Sequence, residues 1–470
     1  MDASECSGCH ERDQRIAALE KRVEQLEAKI RQLLGRNSSN SSTPPSADPP
    51  GAPKPTSKKA TGRKPGAQPG HSAQNRVRLP DSMVNRKKHF VPSACERCQQ
   101  PLPREASPSD PPPLWHQVVE LPEVLVHVTE YQGHARTCGC CGHVTQAAIP
   151  ADVRAHVHGP RMTAAISALT GAFHVSKRDG QGIGQTIFGA PIAVGTIIAA
   201  ERETCAALAA PYTEAQQACQ DAPFNNVDET SWKLGKQLIW LWTAVSNVCT
   251  FYLIHRKRGA EALAAVFKQA FAGITITDRW VVYNRLPVRR RQLCWAHLIR
   301  DFQAIYETNG PGKPIGEKLL CFADDIFNFW YRVRDGTLKR SSFRQYVSEQ
   351  RPWLRNLLAE GAACGCAKTA ALCRNLLKLE PALWTFARVE GVEPTNNAAE
   401  RALRKAVMWR KRSFGCKSEA GCRFVERILT VAKTLQQHKR SVLKYLVESI
   451  VAHRKGQAAP KLLLAQDMNV

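Results

Sequence analysis

The chain has 470 residues, more than one hydrophobic core accommodates, so about two to four domains are expected. Lysine and arginine total 66 against 41 acidic residues, a formal charge of +25. That balance favours a polyanionic partner, nucleic acid before membrane surface. No apolar run reaches the roughly 18 residues a membrane span needs, and the N-terminus lacks the basic and apolar segments of a signal peptide. Seventeen cysteines at this length read as thiols and metal ligands, not as a disulfide framework. A cytoplasmic, nucleoid-associated protein is expected.

Residues 1–36 read as a coiled coil. Ile16, Leu19, Val23, Leu26, Ile30 and Leu33 recur in steps of three and four with charges between them, a heptad seam of about three repeats. Self-association through residues 12–35 is expected, against the plainer reading of one amphipathic helix packed on its own domain. Residues 37–87 read as a disordered Pro/Ser/basic linker, since 16 of the 29 prolines fall between 44 and 113. Within it, Arg63 and Lys64 belong either to a basic arm in a minor groove or to a solvated tether.

Residues 88–150 carry Cys95-x2-Cys98 and Cys138-x2-Cys141. Two such knuckles suit a tetrahedral four-thiolate structural zinc, each supplying two ligands. Cys140 is a surplus candidate for the fourth position, and unliganded thiols in a small β domain are the alternative. Residues 151–222 read as short helices broken by Gly and Pro, which fit a helix-turn-helix DNA reader or a plain helical spacer.

Residues 223–300 change character. Strands are predicted at 223–228, 237–245 and 248–255, a helix at 259–272, then strands at 273–277 and 291–295. That order is that of a ribonuclease-H-like α/β sheet. Residues 301–393 read as a helical insertion, residues 394–440 return to the core as helices, and residues 441–470 form a C-terminal helix and tail.

Three acids stand out against this background. Asp228 and Asp278 each end a β-like run, and Glu400 sits inside a basic helix. Phosphodiester cleavage and transfer need an activated oxygen nucleophile and a stabilised leaving oxygen, which two divalent ions roughly 3.5–4 Å apart supply. Magnesium, or manganese, takes hard oxygen ligands and only one or two carboxylates per ion, so three carboxylates hold a pair if one bridges. Each acid has a plainer role. The aspartates fit turns or caps. If Asn397 caps the helix, Glu400 completes a capping box, or it pairs with Arg404 four residues on. Between 395 and 440 there are twelve Lys or Arg and three acids. Arg401, Arg404, Lys405, Arg410, Lys411 and Arg412 make sense beside a phosphate backbone, or as a solvated basic face. Asp301, Asp324 and Asp325 rival Glu400 on spacing alone. His297 reads as a satisfied core histidine, and Trp232 and Trp409 as core.

The chain resembles the insertion sequence 66 family of transposases, within the DDE transposases. The residues that carry this are the N-terminal heptads, Leu34–Ser42, Gly62–His71, the paired knuckles, Val227–Thr230, Thr277–Asn284, Cys294–Leu298 and Asn396–Arg404. The resemblance implies that Asp228, Asp278 and Glu400 are the first, second and third acids of the triad. It further implies a ribonuclease-H-like core with a helical insertion before the glutamate, binding to double-stranded DNA at inverted terminal repeats, and companion proteins from the same element. The expected activity is strand cleavage and strand transfer by a two-metal mechanism. The alternative is a catalytically inactive, zinc-containing DNA-binding regulator, and a nuclease without strand transfer is a third reading.

Overall fold

A computed structural model describes residues 7–34, 36–41, 78–105, 107–121, 126–267, 271–308 and 310–464. Arg63 and Lys64 lie outside the described residues. Helix α1 (Ser7–Leu34) comes first. Its seam residues Ile16, Leu19, Val23, Leu26 and Ile30 are exposed, as an unpaired heptad helix leaves them. A tight turn follows where the sequence reads as linker. Asn37 Oδ1 accepts from Ser39 N at 2.8 Å, Asn37 N donates to Asn40 Oδ1 at 2.9 Å, and Asn40 Nδ2 donates to Glu307 Oε2 at 2.6 Å.

Residues 78–150 hold little regular structure: β1 (Ala135–Thr137) and β2 (Val144–Gln146) pair antiparallel across the second knuckle. A helical region follows, with α2 (Ala151–Arg154), α3 (Pro160–Ser167), α4 (Lys177–Ile187), α5 (Val194–Ala207) and α6 (Ala209–Asp221). Pro160 opens α3, where its missing N–H costs nothing. Ser176 caps α4 by accepting from Asp179 N at 3.1 Å. A wide turn at Ala168–Ala172 carries Gly171, where an added Cβ would meet Ile428 Cγ1 at 2.6 Å.

The sheet comes next: β3 (Phe224–Leu234), β4 (Gln237–Val245) and β5 (Thr250–His255), then α7 (Ala260–Val266), β6 (Ile274–Thr277) and β7 (Arg291–Leu293). Its order is β5-β4-β3-β6-β7, with β5, β4 and β3 antiparallel and β3, β6 and β7 parallel. Strand β3 runs past the expected end at 228. A two-residue turn with Gly235 at φ 58° lets it pair with β4 as far as Leu234↔Gln237. Asp228 is therefore a mid-strand residue. On its other side β3 pairs with β6 only through Asn226↔Ile276, so the sheet opens next to Asp228.

Alternation along the strands serves both faces. Val227, Trp242, Ala244 and Phe251 pack with Ala218 of α6 and Ala262, Leu263 and Val266 of α7. Trp232, Ile239, Leu241 and Tyr252 pack under the last helices. Between these lie α8 (Trp295–Tyr306), α9 (Lys313–Arg334), α10 (Arg340–Ala363), α11 (Ala367–Leu379) and α12 (Thr385–Arg388), closed around Trp295, Phe302, Ile326, Trp330, Phe343 and Trp384. The chain returns through α13 (Asn397–Ser413), α14 (Glu419–Gln437) and α15 (Val442–Arg454).

Helix α14 lies along edge strand β5. Thr434 Oγ1 accepts from Thr250 N at 3.2 Å, Thr430 Oγ1 from Tyr252 N at 3.0 Å, and Glu426 Oε1 from Ile254 N. A helix repeat of four residues thus matches a strand repeat of two. Among the described residues, no helix is long and apolar enough to cross a membrane.

Candidate active site

The site forms where β3 and β6 part. Asp228 and Asp278 follow the last paired residues, Asn226 and Ile276, by two positions each. One oxygen of each is fixed by a following amide: Asp228 Oδ1 accepts from Glu229 N at 2.9 Å, and Asp278 Oδ1 from Trp280 N at 2.9 Å.

Asn396 brings the third acid to this edge. It is 1% exposed. Its Nδ2 donates to Val227 O at 2.8 Å, and its Oδ1 accepts from Asn226 Nδ2 at 3.0 Å. Its backbone N–H donates to Cys294 Sγ at 3.1 Å. The side chain is spent on β3, not on capping. Helix α13 begins at Asn397, so Glu400 falls one place beyond the capping-box position, and no side-chain cap forms. The capping-box reading of Glu400 is therefore wrong. Pairing with Arg404 is also not seen among the described residues. Glu400 Oε1 instead faces His297 Nδ1 at 3.6 Å and Arg300 at 4.0 Å, from α8.

The electrostatics is that of crowded acids. The Asp228 carboxyl is pushed well above the usual carboxylate range, first by desolvation, then by the charges of Glu229, Asp278 and Glu400. Asp278 is also raised, mainly by burial, with Arg258, Arg279 and Arg291 acting against it. Of the rival acids, Asp301 is held by Arg279 at 2.6 Å, and Asp324 and Asp325 lie exposed on α9.

Sequence reasoning missed the support around these acids. Glu229 accepts from Arg258 at 2.8 and 3.0 Å and from Tyr283 Oη at 2.6 Å. The Arg258 guanidinium is sandwiched, 4.0 Å from the Trp280 ring and 4.6 Å from the Trp240 ring. Arg291 is fully buried and donates to Asn284 Oδ1 at 3.1 Å and to Asp278 O at 3.3 Å.

On α13, Arg401, Arg404, Lys405, Lys411 and Arg412 are exposed. Arg410 is not a free phosphate ligand: its guanidinium turns inward to Thr230 Oγ1 at 3.1 Å and to Ser231. Trp232 is fully buried, and Trp409 stacks on His174 at 4.8 Å.

The two cysteine knuckles share one geometry. Gln99 N donates to Cys95 O and Gly142 N to Cys138 O, both at 2.9 Å. Gln99 and Gly142 both have positive φ. Backbone N–H groups aimed at the first sulfur of each knuckle lower the Cys95 and Cys138 thiols. Cys98 and Cys141 stand beside those sulfurs. The cluster of three or more possible metal ligands found among the described residues is Cys294, His297 and Glu400.

Fold and site together define a mixed α/β protein with carboxylates gathered where two parallel strands part. The family model described as "Transposase IS66 family" matches residues 156–423, and the chain belongs to that family. Residues 5–77 match a family of unknown function, DUF6444. An "Uncharacterized protein y4qI" of Sinorhizobium fredii (strain NBRC 101917 / NGR234) is 24% identical over 249 residues, 47% of this chain and 45% of that relative. The chain thus spans less than half the length of that relative.

Proposed function

We propose that this protein is a DNA transposase that binds the inverted terminal repeats of an insertion sequence and catalyses strand cleavage and strand transfer. Asp228, Asp278 and Glu400 are its catalytic acids. The observation that carries this reading is that Asp228 is pressed by Asp278 and Glu400, acids 50 and 172 residues further along the chain. Gathered like charges are costly unless cations neutralise them. The strand order and the helical insertion between the second and third acids support a ribonuclease-H-like core.

The donor set fits two magnesium or manganese ions: hard oxygens, with Glu400 Oε1 buried and lacking a hydrogen-bond partner. Bound there, the ions would activate an attacking oxygen and stabilise a leaving one. The chain's own residues do the positioning. Backbone amides orient Asp228 and Asp278, Asn396 ties Glu400 to β3, and Arg258 holds Glu229 against the sheet. Arg401, Arg404, Lys405, Lys411 and Arg412 line the DNA backbone, and Arg63 and Lys64 extend that contact, so binding weakens steeply with salt. Cys95, Cys98, Cys138 and Cys141 hold a structural zinc, for which the lowered thiols of both knuckles are suited. Copies associate through α1.

The test is 3′-end joining of terminal-repeat DNA in magnesium. Asp228→Asn, Asp278→Asn and Glu400→Gln are each expected to abolish joining. Wild-type turnover in any one removes that residue from the site. DNA binding without magnesium-dependent nicking in the wild type would make the protein a regulator instead.

A further inference from the structure

Behind the acidic edge, α8 and α13 bring three chemically different donors to one point. Cys294 Sγ, a ring nitrogen of His297 and a carboxylate oxygen of Glu400 all lie within 4.8 Å of one another. His297 Nδ1 and Glu400 Oε1 are both buried without a hydrogen-bond partner. At 3.6 Å apart they are too distant to satisfy each other. A tetrahedral zinc with nitrogen and oxygen at about 2.0–2.2 Å separates such ligands by roughly 3.3–3.5 Å, close to that gap.

The local structure prepares each donor. Cys294 is the residue before α8, and its sulfur accepts the Asn396 backbone N–H at 3.1 Å, a bond that suits a thiolate. The sulfur is fully buried beside the Glu400 carboxylate, a place where a bound cation offsets two anionic donors. His297 stands three residues on, on the same helix face. Its Nδ1 has no hydrogen-bond partner among the described residues, and Arg300 and Arg279 near the ring oppose a further positive charge there. The opposing charges are those same arginines. Arg300 lies 4.0 Å from Glu400 Oε1, and its repulsion makes any ion here exchangeable rather than permanent.

Sulfur, nitrogen and oxygen donors select borderline ions over magnesium. We propose that Cys294, His297 and Glu400 form an exchangeable site for such an ion, zinc before manganese, and that its occupancy withdraws Glu400 from the magnesium pair and silences strand chemistry. The site stands on its own geometry. Its effect on strand chemistry rests on the reading of Glu400 as the third catalytic acid.

The test uses the full chain with its knuckle zinc in place. After dialysis against micromolar free Zn2+, bound zinc is counted by mass spectrometry. Wild type is expected to hold one ion more than His297→Gln and one more than Cys294→Ser. Equal zinc in all three overturns the site, and His297→Gln decides the matter if Cys294→Ser does not fold. Cobalt in place of zinc should give wild type a thiolate charge-transfer band that Cys294→Ser loses. In magnesium-driven joining, free zinc at ten times its dissociation constant should slow wild type about ten-fold. His297→Gln should barely slow relative to its own zinc-free rate. Zinc that binds without slowing wild type overturns the sharing of Glu400. A wild type that binds the extra zinc yet never joins strands refutes the transposase reading and leaves the metal site standing.

Discussion

Asn396→Ala tests how the site is assembled. The substitution removes two buried side-chain hydrogen bonds, to Asn226 at 3.0 Å and to Val227 O at 2.8 Å. Each bond is worth about 0.5–1.5 kcal/mol net, and each orphaned partner costs about 1–3 kcal/mol. Asn226 keeps a weak bond to Thr395 O at 3.4 Å, so a loss of about 2–4 kcal/mol is expected. Glu400 lies one turn further along α13 and loses its registry with Asp228. A displacement of about 1 Å in a catalytic group costs on the order of 10²-fold in rate. Urea unfolding and magnesium-dependent joining read the two effects separately. Asn396→Asp retains the acceptor for Asn226 but sets a buried carboxyl against Val227 O, and should cost at least as much as alanine. An alanine variant with wild-type unfolding midpoint and wild-type joining would refute the claim that this side chain sets the third acid.

Three other outcomes are expected. Asp228→Asn should raise the thermal midpoint in chelator by a few degrees, since it removes a carboxylate pressed by three like charges. Magnesium should then stabilise wild type and not the variant; the same midpoint shift in both would count against metal binding there. Burial raises the Glu426 carboxyl to about 8, so the folded state holds a proton that the unfolded chain releases above about 4.5. Stability should therefore fall as pH rises from about 4.5 to 8, by up to roughly 5 kcal/mol. Glu426→Gln, which keeps the acceptor for Ile254 N, should flatten that slope in denaturation at pH 5 and pH 8.5. Cys95→Ser and Cys138→Ser should each cost bound zinc and protease resistance in residues 88–150; unchanged zinc content would exclude those thiols as ligands.

What was legible in the sequence was what short-range pattern controls. Strand β4 coincides with the expected 237–245, and α9 and α10 lie within residues 301–393, expected as helical. Strand β3 was read too short because Asp228, Glu229 and Ser231 look like turn chemistry. Only the partner across Gly235 carries the strand through them. The helix start was displaced by one residue for a similar reason. Asn396 and Asn397 are both good caps, and only the fold reveals that Asn396 is claimed by β3. Arg410 fits a basic face by composition, yet the nearness of Thr230 and Ser231 turns it inward. His297 was read as a satisfied core histidine. Its unsatisfied Nδ1 depends on a glutamate 103 positions away, which no local pattern encodes.

The fit of α14 along β5 has a consequence for how copies of this protein meet. The outward amides at 250, 252 and 254 are already taken by Thr434, Thr430 and Glu426. At the opposite margin, Thr385 Oγ1 donates to Arg291 O of β7, and Phe386 N donates to the Gln292 side chain. Along β5 a foreign backbone finds no free amide at these three positions, so that edge is closed to strand exchange between subunits. Strand addition at β5 is thus excluded, and the proposed meeting of copies falls to α1.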